Sequence, residues 1–279
     1  MYWIDGNNIA AWNQATDAGA TGITESAAPT NLAVPPTGYA PYVGTVVWNV
    51  GPQMRYRLPD AGVFNGANTT APIRSFSIYA NQSASLYYSV AFGTQVSTAR
   101  IDTLPYCGTP LCGFAGAEPS SDNLARDAAN QWVFWTNTNG LRRANTNAPV
   151  NFDTYTFVSL GITPRDLVFH DGKSRLIMIS DTAIVASGVD PSGARTTIAT
   201  STLFGPYDAS DLVYVYYAIN ANAKCEIRKV AADATNALGS IQVLAPTNGQ
   251  CAGIALGSSS LYLTLVTGPT AGQVVKIPK

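Results

Sequence analysis

Apolar residues in this chain form short strand-like segments that recur about every 40 to 47 residues and end on an aromatic or large aliphatic side chain. Polar turn residues lie between successive segments. A repeat of this length is typical of propeller blades or solenoid units, because each small sheet buries its faces only against its neighbours. The seven segments are residues 2–5, 46–49, 86–89, 133–136, 176–179, 216–219 and 261–264.

A second set of apolar segments, with almost no helical periodicity, predicts the innermost strand of each sheet. The fifth of them includes Asp208 and directly follows Pro206, and both residue types disfavour strands. The six inner segments are residues 32–34, 76–78, 124–126, 167–169, 207–209 and 253–255. In the unit with the clearest alternation, the four predicted strands are residues 122–127, 131–136, 140–144 and 156–160.

These segments predict an all-β fold, with one β-propeller domain over residues 1–279 built from six four-stranded blades. Residues 1–29 contain no inner segment, so we expect them to add outer strands to a last blade formed by about residues 252–278. That arrangement closes the ring and removes exposed sheet edges. Seven blades, with residues 2–5 in a blade of their own, are the alternative.

Composition restricts where the protein works and what it binds. A chain of 279 residues is long for one domain, but all-β domains often reach this length. Charged residues make up 12% of the chain, about half the usual share, which is typical of secreted or cell-envelope proteins. With 16 basic and 17 acidic residues there is no charge excess that would attract nucleic acid.

Export signals and membrane spans are not evident in the sequence. The chain opens on Met1-Tyr2-Trp3 and runs into strand-like sequence without the basic and apolar regions of a signal peptide. The longest apolar stretch, residues 212–219, has the length of a strand and is too short to span a bilayer. We therefore expect no membrane insertion, and a trimmed mature form if the protein is exported.

Four cysteines are consistent with an oxidising compartment and predict two disulfides. Cys107 and Cys112 flank a tight turn, and Cys225 and Cys251 would join consecutive repeats. A zinc site is a competing interpretation, but the spacing differs from that of most structural zinc sites. A third interpretation is that the cysteines are buried free thiols.

Three of the repeated segments resemble a known propeller family. Tyr2-Trp3-Ile4-Asp5, Val133-Phe134-Trp135-Thr136 and Leu86-Tyr87-Tyr88 are similar to the YWTD-type repeat of the low-density lipoprotein receptor family and of its bacterial envelope relatives. The segment Cys107–Cys112 resembles the cysteine pair that these relatives place between blades. The resemblance implies a six-bladed propeller that serves as a binding or scaffold module, without catalysis.

Candidates for chemistry are few. His170 is the only histidine and ends a predicted inner strand, where it could act as a general base with Asp171, Asp166 or Asp127 nearby. A structural role in the turn is the alternative. Asp5, Asp127 and Asp171 fall at comparable strand ends and could hold Ca²⁺ in a propeller channel, although aspartate is also common in turns. No other cofactor is indicated.

Aromatic side chains are the candidates for ligand binding. Trp3, Trp48 and Trp135 recur at the repeat period and are expected to pack between blades. Trp12 and Trp132 are out of phase with the repeat and are expected at the surface, where they could contact a glycan or protein. Tyrosines in loop-like sequence could join them, namely Tyr39 and Tyr106, with Tyr42 and Tyr155 as further candidates.

Together these features predict a non-catalytic binding or scaffold propeller of the cell surface or extracellular space, which recognises a protein or glycan on a loop face. The first alternative is a propeller hydrolase or lyase that uses His170 and channel aspartates. The second is a structural subunit of an envelope assembly.

Overall fold

The computed structural model describes residues 2–5, 7–13, 18–33, 45–58, 62–68, 71–80, 86–92, 95–100, 113–115, 124–127, 132–136, 140–145, 152–170, 173–202, 204–210, 213–233, 242–256, 259–268 and 274–279. Within these ranges the strands pair with antiparallel neighbours in seven sheets, and strands that follow one another in sequence lie side by side. We name the sheets A to G in chain order. The chain divides into two compact units, Met1–Thr154 and Tyr155–Lys279.

Sheets A to D belong to the first unit, apart from the last two residues of sheet D. Sheet A contains β1 (Tyr2–Asp5), β2 (Asn8–Asn13) and β3 (Ala18–Thr24). Sheet B contains β4 (Asn31–Ala33), β5 (Val46–Val50), β6 (Gln53–Arg57) and β7 (Val63–Asn68). Sheet C contains β8 (Ile73–Ala80), β9 (Leu86–Phe92), β10 (Gln95–Arg100) and β11 (Gly113–Ala115). Sheet D contains β12 (Leu124–Asp127), β13 (Trp132–Thr136), β14 (Gly140–Asn145) and β15 (Phe152–Thr156).

Sheets E to G belong to the second unit. Sheet E contains β16 (Asp166–His170), β17 (Arg175–Ile179), β18 (Ala183–Ser187) and β19 (Arg195–Thr200). Sheet F contains β20 (Phe204–Ser210), β21 (Tyr214–Ala221), β22 (Lys224–Ala231) and β23 (Gln242–Thr247). Sheet G contains β24 (Cys251–Leu256), β25 (Ser260–Leu265) and β26 (Val274–Pro278).

The first strands of neighbouring sheets contact one another in each unit. In the first unit β4 contacts β1 and β8, and β8 contacts β12; in the second unit β20 contacts β16 and β24. All six predicted inner segments lie on such strands, apart from Val34, which is outside the described residues. The poor strand former Pro206 is accommodated in β20 by a register shift between Phe204 and Asp208.

The strand β21 shows why the aromatic segments read as continuous apolar runs. Its alternate residues Val215, Tyr217 and Ile219 pack against sheet E, while Tyr216 and Ala218 pack against sheet G. Because successive side chains of a strand point to opposite faces, a strand between two packed sheets must be apolar on both. Full burial of one large side chain stabilises the fold by about 1.5–3 kcal/mol.

The first unit has a comparable contact between sheets A and B. Ile9 of β2 packs with Val46 and Trp48 of β5, and all three side chains are fully buried. The Trp48 indole donates a hydrogen bond of 2.7 Å to Oε1 of Glu25, whose Oε2 accepts from Arg55 Nη1 at 2.6 Å. Trp48 therefore has the packing role predicted for it, and Trp135 is likewise buried in the core of sheet D.

One predicted strand was wrong. Residues 156–160 were expected to form an outermost strand, but the outermost strand of sheet D ends at Thr156, and Phe157–Leu160 form one turn of helix, α1. The Thr156 hydroxyl caps the turn by accepting from the Ser159 backbone, and Gly161 ends it in the left-handed conformation, with φ 65°. No helix within the described ranges is long and apolar enough to cross a membrane.

The disulfide between Cys225 and Cys251 is present and both cysteines are buried, which confirms one predicted pair and excludes zinc and free thiols there. It joins the β21–β22 hairpin of sheet F to the first strand of sheet G. The second predicted pair, Cys107 and Cys112, lies outside the described residues.

Candidate functional site

A groove of about 480 Å³ lies on sheet E, at the end where β16 begins and β17 ends. One side is formed by α1 and the residues that follow it, and the other by the turn between β17 and β18. Val185 and Thr197, which are paired across β18 and β19, lie between these two sides. The lining consists of Phe157, Val158, Gly161, Ile162, Thr163, Ser180, Asp181, Thr182, Ala183, Val185 and Thr197.

Local hydrogen bonds fix both sides of the groove. The Ser180 hydroxyl accepts from the backbone N–H groups of Thr182 and Ala183, at 3.2 and 2.9 Å, and donates to the Ala183 carbonyl at 3.0 Å. Across the groove, Arg195 Nη1 of β19 donates to the Ser159 carbonyl of α1 at 3.0 Å. The turn and the helix are thus held by groups that are already satisfied.

Other polar side chains of the groove are available to a ligand. The hydroxyls of Thr163, Thr182 and Thr197 are at exposed residues and make no hydrogen bond to another described residue. The Asp181 side chain is 90% exposed, and its nearest basic group is Arg165 Nε, 3.6 Å away. Asp181 is the one charged residue of this described lining.

Apolar side chains complete the lining. Val158 projects from α1 and is 93% exposed, Phe157 is half-buried, and Ile162 and Val185 form buried floor. The opposite face of sheet E, with Ile184, is packed against sheet F. The groove therefore combines hydroxyls, one carboxylate and an apolar lip on the face of sheet E that does not pack against sheet F.

His170 does not lie at an accessible site. It ends β16, pairs in register with Arg175 and is 1% exposed, and neither ring nitrogen has solvent-accessible surface. Asp166, an expected acidic neighbour, begins the same strand, so its backbone is about 13 Å from that of His170 at about 3.3 Å per residue. Asp166 uses its carboxylate to accept from the Leu167 N–H at 2.8 Å.

Charged groups tie the corner after His170 to sheet F. Lys173 Nζ lies 2.6 Å from Asp233 Oδ2, and Arg175 Nη1 donates to the Ala232 carbonyl at 3.3 Å. The hydrogen bond from Lys173 holds the pKa of Asp233 below its usual range. Asp171 lies outside the described residues. The buried His170 is therefore followed by two basic side chains, Lys173 and Arg175, that bind residues just beyond the end of β22.

Of the residues predicted for Ca²⁺, one can be placed fully. Asp127 is completely buried at the end of β12. The backbone of Asp5 ends β1, but its side chain and Asp171 are outside the described part. The described residues contain no group of three or more histidine, cysteine, aspartate or glutamate side chains suited to a metal ion.

Of the predicted ligand-binding aromatics, Trp132 is described in full and is half-buried. The guanidinium of Arg143 lies 4.3 Å from the centroid of its ring and also pairs with Asp153 Oδ2 at 2.5 Å. One ring face is therefore covered by a cation that is itself anchored. The side chain of Trp12, and Tyr39 and Tyr106, lie outside the described residues, whereas Tyr155 is half-buried.

Sequence reasoning did not find the groove. Its threonines, Ser180 and Asp181 have the composition of ordinary turns, and nothing in the hydrophobic pattern distinguishes them. The sequence does contain one signal for α1, which forms a side of the groove. Thr156 and Gly161 are spaced as the N-cap residue and the left-handed C-terminal glycine of one helical turn.

No protein-family model and no curated protein matches this chain. Solved structures do. A streptogramin B lyase structure has a TM-score of 0.66 at 14% identity, covering 98% of this chain and 86% of the lyase. The Swd1 β-propeller domain from Myceliophteria thermophila has a TM-score of 0.66 at 12% identity, over 100% of this chain and 92% of that domain.

A chain of the nidogen/laminin complex has a TM-score of 0.54 at 13% identity, over 78% of this chain and 84% of that chain. Identities this low establish the fold alone. The protein has an all-β propeller fold with four-stranded blades, as the repeat predicted.

Proposed function

We propose that this chain is a non-catalytic propeller of the cell surface or extracellular space that binds a protein or glycan partner. The observation that carries the proposal is the burial of His170, at 1% exposure and with both ring nitrogens shielded from solvent. A general base must come within hydrogen-bond reach of the proton it removes. His170 is the only histidine of the chain, so the acid–base alternative loses its principal residue.

Two further features support binding outside the cytoplasm. The Cys225–Cys251 disulfide and the low charged fraction of 12% both suit an oxidising compartment. The YWTD-type resemblance, with the likeness to a chain of the nidogen/laminin complex, supports a propeller that holds a protein partner. Recognition would then use the loops at one end of the sheets, where the groove lies.

A lyase is the second candidate, because one similar solved structure is a streptogramin B lyase. In that case a substrate would have to reach His170 through a rearranged corner between β16 and β17. A structural subunit of an envelope assembly is the third candidate, and migration of the native protein as a large complex would favour it.

The blade count, six or seven, and the closure of the ring stay part of the proposal. Six blades require residues 1–29 to complete the last blade. Sheets A and G are each three-stranded within the described residues, with hydrogen bonds inside each sheet. Single-particle images viewed along the propeller axis would count the blades directly.

The test is a screen of the purified protein against a glycan array and an extracellular protein extract, with Ca²⁺ and again with chelator. Selective capture of one partner supports the proposal, and sensitivity to chelator would indicate an ion at the site. The His170→Asn variant, checked for folding by circular dichroism, should capture the same partner with unchanged affinity. Loss of capture in a folded His170→Asn protein would contradict the proposal.

A further inference from the structure

The uncharged polar side chains that the groove on sheet E offers to a ligand are threonine hydroxyls. The hydroxyls of Thr163, Thr182 and Thr197 come from three different elements, and each can donate one hydrogen bond and accept two. No described residue uses them. The backbone of β18 is paired on both sides, with β17 and β19, whereas β19, which carries Thr197, is the edge strand of sheet E within the described residues. Through its side chains the groove offers hydroxyls that both donate and accept, which suits a ligand that presents hydroxyl groups of its own.

The charge of the groove further restricts the class of ligand that it can bind. Asp181 is the one charged residue in the described lining, and its 3.6 Å separation from Arg165 Nε leaves both carboxylate oxygens able to accept hydrogen bonds. A carboxylate accepts only, so it selects ligand groups that donate. The described lining holds no basic residue that would pair with an anionic ligand, so a neutral ligand suits it better.

The apolar lip supplies the remaining surface. Val158 is 93% exposed on a helical turn that Gly161 and the Arg195–Ser159 hydrogen bond hold in place, and Phe157 stands beside it. An exposed apolar side chain on a fixed element suits contact with the carbon face of a ligand. The volume, about 480 Å³, falls within the range of about 300–1,000 Å³ that is usual for small-ligand sites.

We infer that this groove binds a neutral saccharide, an inference that rests on the proposed binding function. Asp181 accepts hydrogen bonds from two neighbouring sugar hydroxyls, and the threonine hydroxyls exchange hydrogen bonds with others. Phe157 and Val158 cover the apolar face of the sugar ring. The site is distinct from the predicted aromatic residues Trp12 and Trp132, and it places glycan recognition at one end of sheet E.

The experiment is titration calorimetry of a panel of neutral mono- and oligosaccharides into the wild-type protein and three variants. Thr197→Val removes one hydroxyl at constant shape, and Asp181→Asn removes the charge at constant size. Thr196→Val, on the opposite face of sheet E, is the matched control. At least tenfold weaker binding for the first two variants, with the control unchanged, supports the inference.

Equal affinity for all four proteins, or no saccharide bound anywhere in the panel, overturns the saccharide site. In either case a protein captured in the partner screen would leave the proposed binding function standing. Chemical conversion of a bound saccharide by the wild-type protein, lost in the His170→Asn variant, would instead contradict the proposed function. The two failures are therefore distinguishable.

Discussion

The side-chain amide of Asn220 pairs with both backbone polar groups of Cys251. Asn220 Nδ2 donates to the Cys251 carbonyl at 3.1 Å, and the Cys251 N–H donates to Asn220 Oδ1 at 3.0 Å. The amide thus acts as a short piece of neighbouring strand, beside the disulfide that joins sheets F and G. Two kinds of link, covalent and polar, hold the first strand of sheet G at the same point.

Replacing Asn220 with alanine should lower the free energy of unfolding by about 2 kcal/mol, because two partly buried hydrogen bonds are lost at about 1 kcal/mol each. Urea denaturation of the oxidised protein measures this change. Asn65→Ala, at an exposed position of β7, should change stability by less than about 0.5 kcal/mol. Equal effects of the two substitutions would show that the Asn220 amide contributes no more to the free energy of unfolding than an exposed amide does.

Removing the carboxylate of Glu25 should be far more costly than removing that of Glu226. Glu25 is buried and serves both Trp48 and Arg55, so alanine leaves buried donors without an acceptor, a loss of about 3 kcal/mol. Glu226 pairs with Arg228 at 2.6 Å in a partly exposed position, where alanine should cost less than about 1 kcal/mol. Thermal unfolding of the two variants makes the comparison, and a Glu226 loss as large as that of Glu25 would contradict it.

Burial raises the pKa of Tyr217 to about 12, despite the opposing effect of the Arg228 guanidinium. The unfolded chain ionises this phenol near pH 10. Stability from the buried neutral form is therefore complete below pH 10 and is lost as pH rises from 10 towards 12. In Tyr217→Phe the fall in unfolding free energy between pH 9 and 11.5 should be smaller than in the wild type, by about 1–2 kcal/mol. Parallel pH profiles would refute the assignment.

Gly161 ends α1 with φ 65°, a conformation that costs alanine about 1 kcal/mol. Gly161→Ala should therefore destabilise the protein by about that amount, even though no atom lies within 4 Å of the added methyl group. Gly188→Ala is the control, because the same space is open there and its φ is not positive. Differential scanning calorimetry of the pair separates backbone strain from steric contact, and equal transition temperatures would contradict the strain.

The repeat in the hydrophobic pattern predicted the sheets because burial on both faces demands successive apolar residues, as from Val215 to Ile219 in β21. It did not predict α1, since Phe157, Val158 and Leu160 also suit a strand and the caps at Thr156 and Gly161 decided the outcome. The burial of His170 was not predictable, because its position at the end of a strand does not determine whether the side chain faces solvent or the core. The groove depends on side chains brought together from α1 and the residues after it, the β17–β18 turn, and the strands β18 and β19, a juxtaposition that exists only in three dimensions.

The proposed function is that this propeller binds its partner without transforming it. The direct measurement is mass spectrometry of the captured partner, or of a saccharide that occupies the groove, after prolonged incubation with the wild-type protein and with folded His170→Asn. We expect the bound molecule to be recovered unchanged in mass from both proteins. A product formed by the wild-type protein and not by the His170→Asn variant would contradict it and establish an enzyme.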